Sequence, residues 1–157
     1  MSKIDLNMYN SIRNINMEKI KFYNLETKEN ESITSLCHDN YLVIDFWHTK
    51  CTKCPLALEK LNDITKDYPN VNFASCALSL VEDDIDIISD IVEDSWDNLK
   101  KLYLTINDKE KAKEIFGFKA VPYCLIFSPS GELVASNDPK EIDFESVFNS
   151  FQTTDDF

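Results

Sequence analysis

Two cysteines three positions apart, Cys51 and Cys54, are the residues whose types and spacing most directly suggest chemistry in this sequence. They lie in residues 47–55, Trp-His-Thr-Lys-Cys-Thr-Lys-Cys-Pro, between an apolar run and a helical pattern. Thiols one helical turn apart can close a disulfide ring. Because such a pair can give or take two electrons, the segment indicates thiol redox chemistry.

The charges around these thiols favour the thiolate, which is the reactive form. Lys50 and Lys53 flank Cys51, and His48 is a third cation when it is protonated. A free thiol with a pKa near 8.5 is roughly 3% thiolate at neutral pH, whereas a pKa of about 7 makes roughly half of it reactive. That shift needs about 2 kcal/mol, which a helix N-terminus and the cations supply together but not singly.

Pro55 determines how much a following helix contributes to this effect. If the helix begins at Cys51, the proline ring meets the Cys51 carbonyl and no N–H is available at that position. If Pro55 instead begins the regular helix, the helix amides lie further from Cys51 and lower its pKa less. The sequence leaves both alternatives open.

The elements that must position the cysteines form a β-α-β unit. Residues 41–47 are nearly all apolar or β-branched, the pattern of a central strand buried on both faces, and Asp45 is the one charge among them. Apolar residues recur at helical spacing over 54–67, and residues 71–78 form a second strand. Strands joined in this way are parallel, so the predicted fold class is α/β.

Further elements are predicted on either side of this unit. Alternating runs at 19–23 and 32–36 predict an N-terminal hairpin, and residues 82–106 predict an inserted helix and strand. Asn107 or Asp108 is expected to cap the next helix, and Gly117 to end it in a left-handed conformation. A hairpin over 123–135 turns at Gly131. The apolar face of a closing helix is predicted to consist of Phe144, Val147, Phe148 and Phe151.

Length and composition limit the domain organisation. The chain has 157 residues, of which 43% are hydrophobic, and this suits one domain with a sizeable core. Residues 1–16 show no strong period and are predicted to be a loosely packed N-terminal extension. Residues 17–157 are predicted to form the single domain.

The composition also excludes several classes of function. Two glycines, Gly117 and Gly131, are too few for a phosphate-binding loop. A net charge of −12 opposes binding to nucleic acid or to an anionic membrane surface. We see no transmembrane or secretory pattern and expect a cytoplasmic protein. Five cysteines, an odd number, argue against a disulfide scaffold.

Taken together, residues 17–151 resemble the thioredoxin superfamily. The matching segments are Val43-Ile-Asp-Phe-Trp47, Cys51-x-x-Cys54 and Val121-Pro122, followed by residues 129–132. The resemblance implies a central mixed sheet flanked by helices, here with an extra N-terminal β-hairpin. This hairpin and the insertion make the chain look more like the larger branches, such as nucleoredoxin and tryparedoxin, than like minimal thioredoxin.

The resemblance also implies roles for individual residues. Cys51 attacks a substrate disulfide, and Cys54 resolves the mixed disulfide, so that the two cysteines alternate between dithiol and disulfide. Pro122 is cis and faces the pair, and Val121 presents its backbone to an extended substrate segment. Asp45, as a buried carboxyl with a raised pKa, is suited to accept the proton of Cys54.

The sequence departs from the family pattern in ways that leave redox potential and partner choice open. Lys50 replaces the aromatic residue that commonly precedes the first cysteine, and Thr52 and Lys53 replace glycine and proline between the cysteines. Ser75 falls near the place of the lysine that pairs with the buried acid in thioredoxin.

Structural interpretations remain for the same residues. A zinc site could join Cys51 and Cys54 to Cys76, Cys124 or His48, although the sequence has no second C-x-x-C. Cys76 and Cys124 lie in predicted apolar strands and are expected to be inert core residues. Trp47 could be core or could form a wall of the active site, and Cys37 could be exposed in a loop.

The sequence therefore predicts a thiol-disulfide oxidoreductase that needs no metal or organic cofactor. Cys51, Cys54 and Asp45 are its expected catalytic residues, and Trp47, Lys50, Val121 and Pro122 its expected substrate contacts. The expected partners are a disulfide-containing protein or a small thiol carrier, and an upstream reductant that is either a thioredoxin-reductase-like enzyme or a low-molecular-weight dithiol. The alternatives are a non-enzymatic binding module of the same fold and the zinc module.

Overall fold

The computed structural model describes residues 3–155, and the side chains of residues 5 and 8–149 within that range. Helices and strands alternate through this part of the chain. In chain order they are α1 (Lys3–Met17), β1 (Phe22–Asn24), β2 (Asn30–Glu31), α2 (Ile33–Cys37), β3 (Tyr41–Trp47), α3 (Cys54–Ile64), β4 (Val71–Leu78), α4 (Ile85–Val92), β5 (Lys100–Leu104), α5 (Ile106–Phe116), β6 (Tyr123–Phe127), β7 (Leu133–Asn137) and α6 (Phe144–Asp155).

Within residues 3–155 the strands form one mixed sheet in the order β2-β1-β5-β4-β3-β6-β7. Strands β3, β4 and β5 are mutually parallel, whereas β1 runs antiparallel to β5 and β6 runs antiparallel to β3. The predicted α/β class, the parallel pairing across α3 and the N-terminal hairpin are thus confirmed. No helix in the described range is both long and apolar enough to cross a bilayer.

Strand β3 lies at the centre of the core, as its apolar pattern predicts. Every residue from Leu42 to Trp47 is buried, and β3 is paired on one side with β4 and on the other with β6. The side chains of Val43 and Trp47 belong to the apolar cluster that contains Leu58 of α3. The odd-numbered face of β3 is therefore the face that α3 covers.

The chain direction brings three connections to one edge of the sheet. The carboxyl end of β3 leads into the cysteine segment, and β6 begins at the same edge because Tyr123 pairs with Phe46. Strand β7 ends there too, since Asn137 pairs with Cys124. Residues just after β3, just before β6 and just after β7 are consequently neighbours, although they are far apart in sequence.

The predicted hairpin exists, but its second strand was misplaced. Strand β2 is Asn30–Glu31. Residues 33–37, most of which fall in the strand predicted at 32–36, form helix α2 instead. Ser32 caps this helix, because its hydroxyl accepts the N–H of Ser35 at 3.2 Å. A short alternating run also matches one turn of helix, so the cap decides between the two.

Helix α5 begins two or three residues earlier than the sequence predicts. Its N-cap is Thr105, whose hydroxyl accepts the N–H of Asp108, so the predicted caps Asn107 and Asp108 lie inside the helix. Its end is as predicted, with Gly117 in the left-handed region at φ 70°. Gly131 likewise has the expected positive φ, 89°, in the turn between β6 and β7.

The two ends of the described chain are both helical. The stretch before Met17, which showed no strong period, forms α1, and Met17 at its end is buried in the core. At the other end, Phe144 and Phe148 of α6 pack on the sheet as the closing helix predicts. The side chain of Phe151 lies outside the described residues.

Candidate active site

Cys51 and Cys54 form a disulfide at the junction of β3 and α3, with their Cα atoms 5.4 Å apart. Cys51 lies in the loop and is half-buried, whereas Cys54 is the first residue of α3 and is 0% exposed. A substrate sulfur can therefore approach Cys51 but not Cys54. This asymmetry fits an attacking thiol and a resolving thiol beneath it.

Helix α3 begins at Cys54, and this determines where Pro55 lies in the helix. The N-cap is Lys53, and Pro55 occupies the first turn, where a backbone N–H has no partner inside the helix. Proline therefore leaves the helix intact. The positive end of α3 starts three residues after Cys51, so the helix stabilises the Cys51 thiolate less than a helix beginning at Cys51 would.

His48 organises the loop that carries Cys51. Its Nδ1 accepts the N–H of Lys50 at 3.2 Å, and its carbonyl accepts the N–H of Cys51 at 3.2 Å. Partial burial lowers the pKa of His48 and outweighs a backbone hydrogen bond that raises it, and the charges of Lys109, Lys113 and Lys50 lower it further. His48 is accordingly a neutral acceptor at neutral pH, not the cation that the sequence offered as a partner for the thiolate.

Val121 and Pro122 lie beside Cys51, just before β6. The peptide bond between them is cis. The carbonyl oxygen of Val121 is 3.7 Å from the Sγ atom of Cys51. The antiparallel pairing of β6 with β3 thus brings a segment seventy residues away in sequence against the disulfide.

Asp45 is a fully buried carboxyl on the face of β3 that α3 covers. Neither carboxylate oxygen has a hydrogen-bond partner among the described residues. Burial raises the pKa of Asp45 well above its ordinary value, and the negative charge of Asp138 raises it further. Ser75, opposite Asp45 on β4, donates its hydroxyl to the Lys100 carbonyl at 3.3 Å instead.

Trp47 packs in the core below the disulfide. Only 3% of it is exposed, and its ring meets Trp96 edge to face with the centroids 5.5 Å apart. Trp47 is therefore a core residue of the described structure, and its role as a wall of the active site stays a prediction. Lys50, by contrast, is exposed next to Cys51 as a substrate contact requires.

The comparison with solved structures supports this architecture. Neither the protein-family models nor the curated protein sequences match the chain. Among solved structures, the thioredoxin domain of a thiol-disulfide oxidoreductase from Bacteroides vulgatus is 17% identical, covers 86% of this chain and 91% of its own, and superposes with a TM-score of 0.65. The chain has a thioredoxin-like fold.

Two other thioredoxin-like structures extend the likeness across different organisms. The exposed lipoprotein thioredoxin of Streptococcus pneumoniae is 14% identical, with a TM-score of 0.63 over 85% of this chain and 97% of its own. A thioredoxin-like protein from Aeropyrum pernix is 12% identical, with a TM-score of 0.63 over 94% and 98%. At these identities the likeness establishes the fold.

The remaining three cysteines of this thioredoxin-like domain are buried. Burial raises the pKa of Cys37 to about 11, and it raises the pKa of Cys76 and of Cys124 well above the ordinary value. These thiols are therefore protonated and inaccessible at neutral pH. Within the described side chains, no group of three His, Cys, Asp or Glu residues is placed to hold a metal ion.

Sequence reasoning missed a cleft beside the disulfide. Its volume is about 590 Å³, and it lies between α3 and the loop after β7. The residues that line it are Thr52, Lys53, Leu56, Ala57, Lys60, Leu61, Ile64, Pro122, Asp138, Pro139, Lys140 and Phe144. Only the sheet topology brings residues 138–144 to this place, so no local sequence signal could have found them.

Proposed function

We propose that this protein is a thiol-disulfide oxidoreductase that reduces disulfides through the Cys51–Cys54 pair. The observation that carries the proposal is the disulfide itself, with one half-buried sulfur and one fully buried sulfur at the start of α3. The thioredoxin-like fold supports the same chemistry, because solved neighbours described as thiol-disulfide oxidoreductases share it. In this account Cys51 is the nucleophile and Cys54 the resolving thiol.

The proposed reaction has two displacement steps. The Cys51 thiolate attacks one sulfur of a substrate disulfide, which forms a mixed disulfide and releases the other sulfur as a thiolate that takes a proton from solvent. The Cys54 thiolate then attacks the Cys51 sulfur, closing the Cys51–Cys54 disulfide and releasing the second substrate thiol. The substrate gains two electrons and two protons, and the protein dithiol loses them.

Asp45 is the proposed acceptor for the proton of Cys54. Its position on the sheet face covered by α3 and its raised pKa support this role. A raised carboxyl pKa lies closer to the pKa of a thiol, so proton transfer between the two groups is less uphill. The same burial prevents solvent from taking the proton directly.

Substrate contacts are proposed for Lys50, Val121 and Pro122. The short distance between the Val121 carbonyl and the Cys51 sulfur supports placing an extended substrate segment along this backbone. The partner is a disulfide in a protein or a small thiol carrier. A reductase of the kind that serves thioredoxins, or a small dithiol, returns the Cys51–Cys54 disulfide to the dithiol.

We also propose a reducing compartment such as the cytoplasm as the site of action. The three cysteines outside the Cys51–Cys54 pair form no structural disulfide with one another, as is typical of proteins from reducing compartments.

A turnover assay tests the proposed function. With dithiothreitol as the reductant and a peptide that carries one fluorescence-quenched disulfide, the protein should accelerate reduction by more than about tenfold over dithiothreitol alone, because the exposed cations Lys50 and Lys53 beside Cys51 favour its reactive thiolate form. Boiled protein serves as the control. A rate equal to that of dithiothreitol alone, with the peptide still bound, would instead identify a binding module.

A further inference from the structure

The cleft beside the disulfide combines an apolar floor with a cationic rim. Leu56 is 58% exposed and Ile64 is half-buried, whereas Leu61 and Phe144, which also line the cleft, are only 2% and 8% exposed. From Leu56 to Ile64 the helix advances about 12 Å, at 1.5 Å per residue. That length matches three to four residues of extended chain at about 3.3 Å each, so the floor is suited to a peptide segment.

Three lysines, Lys53, Lys60 and Lys140, line this cleft. In the part of the chain with described side chains, Lys53 and Lys60 have no ion-pair partner, whereas Lys140 lies 3.9 Å from Asp138. Lys50 is exposed on the other side of Lys53, next to Cys51. The cations near the disulfide are therefore largely available to a ligand.

The rest of the molecule has the opposite charge. With 28 acidic residues against 16 basic ones, the protein repels an acidic partner over most of its surface. Next to the disulfide, the lysines of the cleft make the local charge positive. Charge complementarity thus favours acidic partners at this edge of the sheet and disfavours them elsewhere.

We infer that the substrate of this protein is an extended polypeptide segment with an apolar side chain next to its disulfide cysteine and acidic side chains on either side. The inference rests on the proposed reductase function and narrows its substrate class. The apolar residue packs on the exposed side chain of Leu56 in the cleft, and the acidic residues face Lys53 and Lys60. The electron balance is that of the two displacement steps given above.

Two matched peptides test this substrate class. Each carries one disulfide with a leucine beside the cysteine, and they differ only in having aspartates or lysines at the flanking positions. At low salt we expect kcat/KM to be about 3- to 10-fold higher for the acidic peptide, and the ratio to decline as ionic strength rises. A ratio of one at low salt would overturn the inference while leaving the reductase function in place, whereas failure to reduce either peptide would overturn the function itself.

A matched pair of variants locates the effect. Lys60→Glu changes a lysine of the cleft, and Lys66→Glu makes the same charge change at an exposed position outside it, where Lys66 lies 4.0 Å from Asp63. The acidic preference should fall about threefold or more in Lys60→Glu and persist in Lys66→Glu. An equal loss in both variants would assign the preference to net charge and would rule out the cleft as its source. A higher kcat/KM for glutathione disulfide than for the acidic peptide would also overturn the inference, because the preferred substrate would then not be a polypeptide segment.

Discussion

Cys51→Ser is expected to lower the rate of catalysed disulfide reduction by at least about a thousandfold, because a serine hydroxyl is not ionised at neutral pH and cannot displace a thiolate from a disulfide. Cys51 is the accessible member of the pair, since Cys54 is fully buried. The other three cysteines are also buried, so none of them can take over the attack. Initial rates with the quenched disulfide peptide measure the loss.

Cys37→Ala is the matched control for this variant. It also removes one thiol, but Cys37 lies in the apolar cluster on the other face of the sheet, away from Cys54 and Trp47. We expect it to retain turnover once its folding has been checked by circular dichroism. Turnover in Cys51→Ser close to that of the wild type would mean that another group attacks the substrate, and the assignment of the nucleophile would be wrong.

Asp45→Asn is expected to remove a pH dependence of stability that the wild type has. The native carboxyl has a raised pKa because of burial, whereas the carboxyl of the unfolded chain ionises near 3.9. Between these two pKa values the native state binds more protons than the unfolded state. The free energy of unfolding of the wild type therefore falls by about 1.4 kcal/mol per pH unit as the pH rises from the unfolded value towards the native one.

Urea unfolding of the oxidised proteins at pH 3, 5 and 7 measures this effect. The free energy of unfolding of the asparagine variant minus that of the wild type should be about 1–4 kcal/mol larger at pH 7 than at pH 3. Other titrating groups are common to both proteins and cancel in the difference. His48, whose lowered native pKa makes stability fall as the pH drops below about 6.5, is one of these. A difference that stays constant with pH would show that Asp45 titrates normally.

The same variant should slow the reaction although it stabilises the fold. Without a carboxylate, Cys54 has no buried acceptor for its proton, and release of the second substrate thiol should slow by at least about tenfold. Opposite effects on stability and on rate separate a proton acceptor from a residue that only supports the structure. Loss of both together would contradict the role proposed for Asp45.

The central part of the fold could be predicted because the apolar patterns of its strand and helix and the positions of its glycines all indicate the same elements. The buried strand β3 is almost entirely apolar, α3 has helical spacing, and two glycines occupy the left-handed positions at Gly117 and Gly131. Strand β2 was misplaced because it is only two polar residues long and pairs at the edge, where no apolar pattern marks it. The cap at Thr105 was missed because Asn107 and Asp108 carry equally good cap side chains.

The candidate site divides in the same way. Cys51, Cys54 and Asp45 lie within ten residues of one another, so their chemistry can be inferred from one segment. Lys60 and Lys140 are ordinary surface lysines in the sequence. They line one cleft because β7 ends at the edge where α3 begins, and that relation depends on strand order, which local patterns do not specify.

Trapping of a mixed disulfide on Cys54→Ser tests the central claim most directly. With the resolving thiol removed, attack by Cys51 on a disulfide peptide should stop at the intermediate. Intact mass spectrometry should then show one peptide covalently bound, located at Cys51 by peptide mapping and released by dithiothreitol. No adduct, or an adduct at a different cysteine, would contradict the assignment of Cys51 and Cys54 as an attacking and resolving pair.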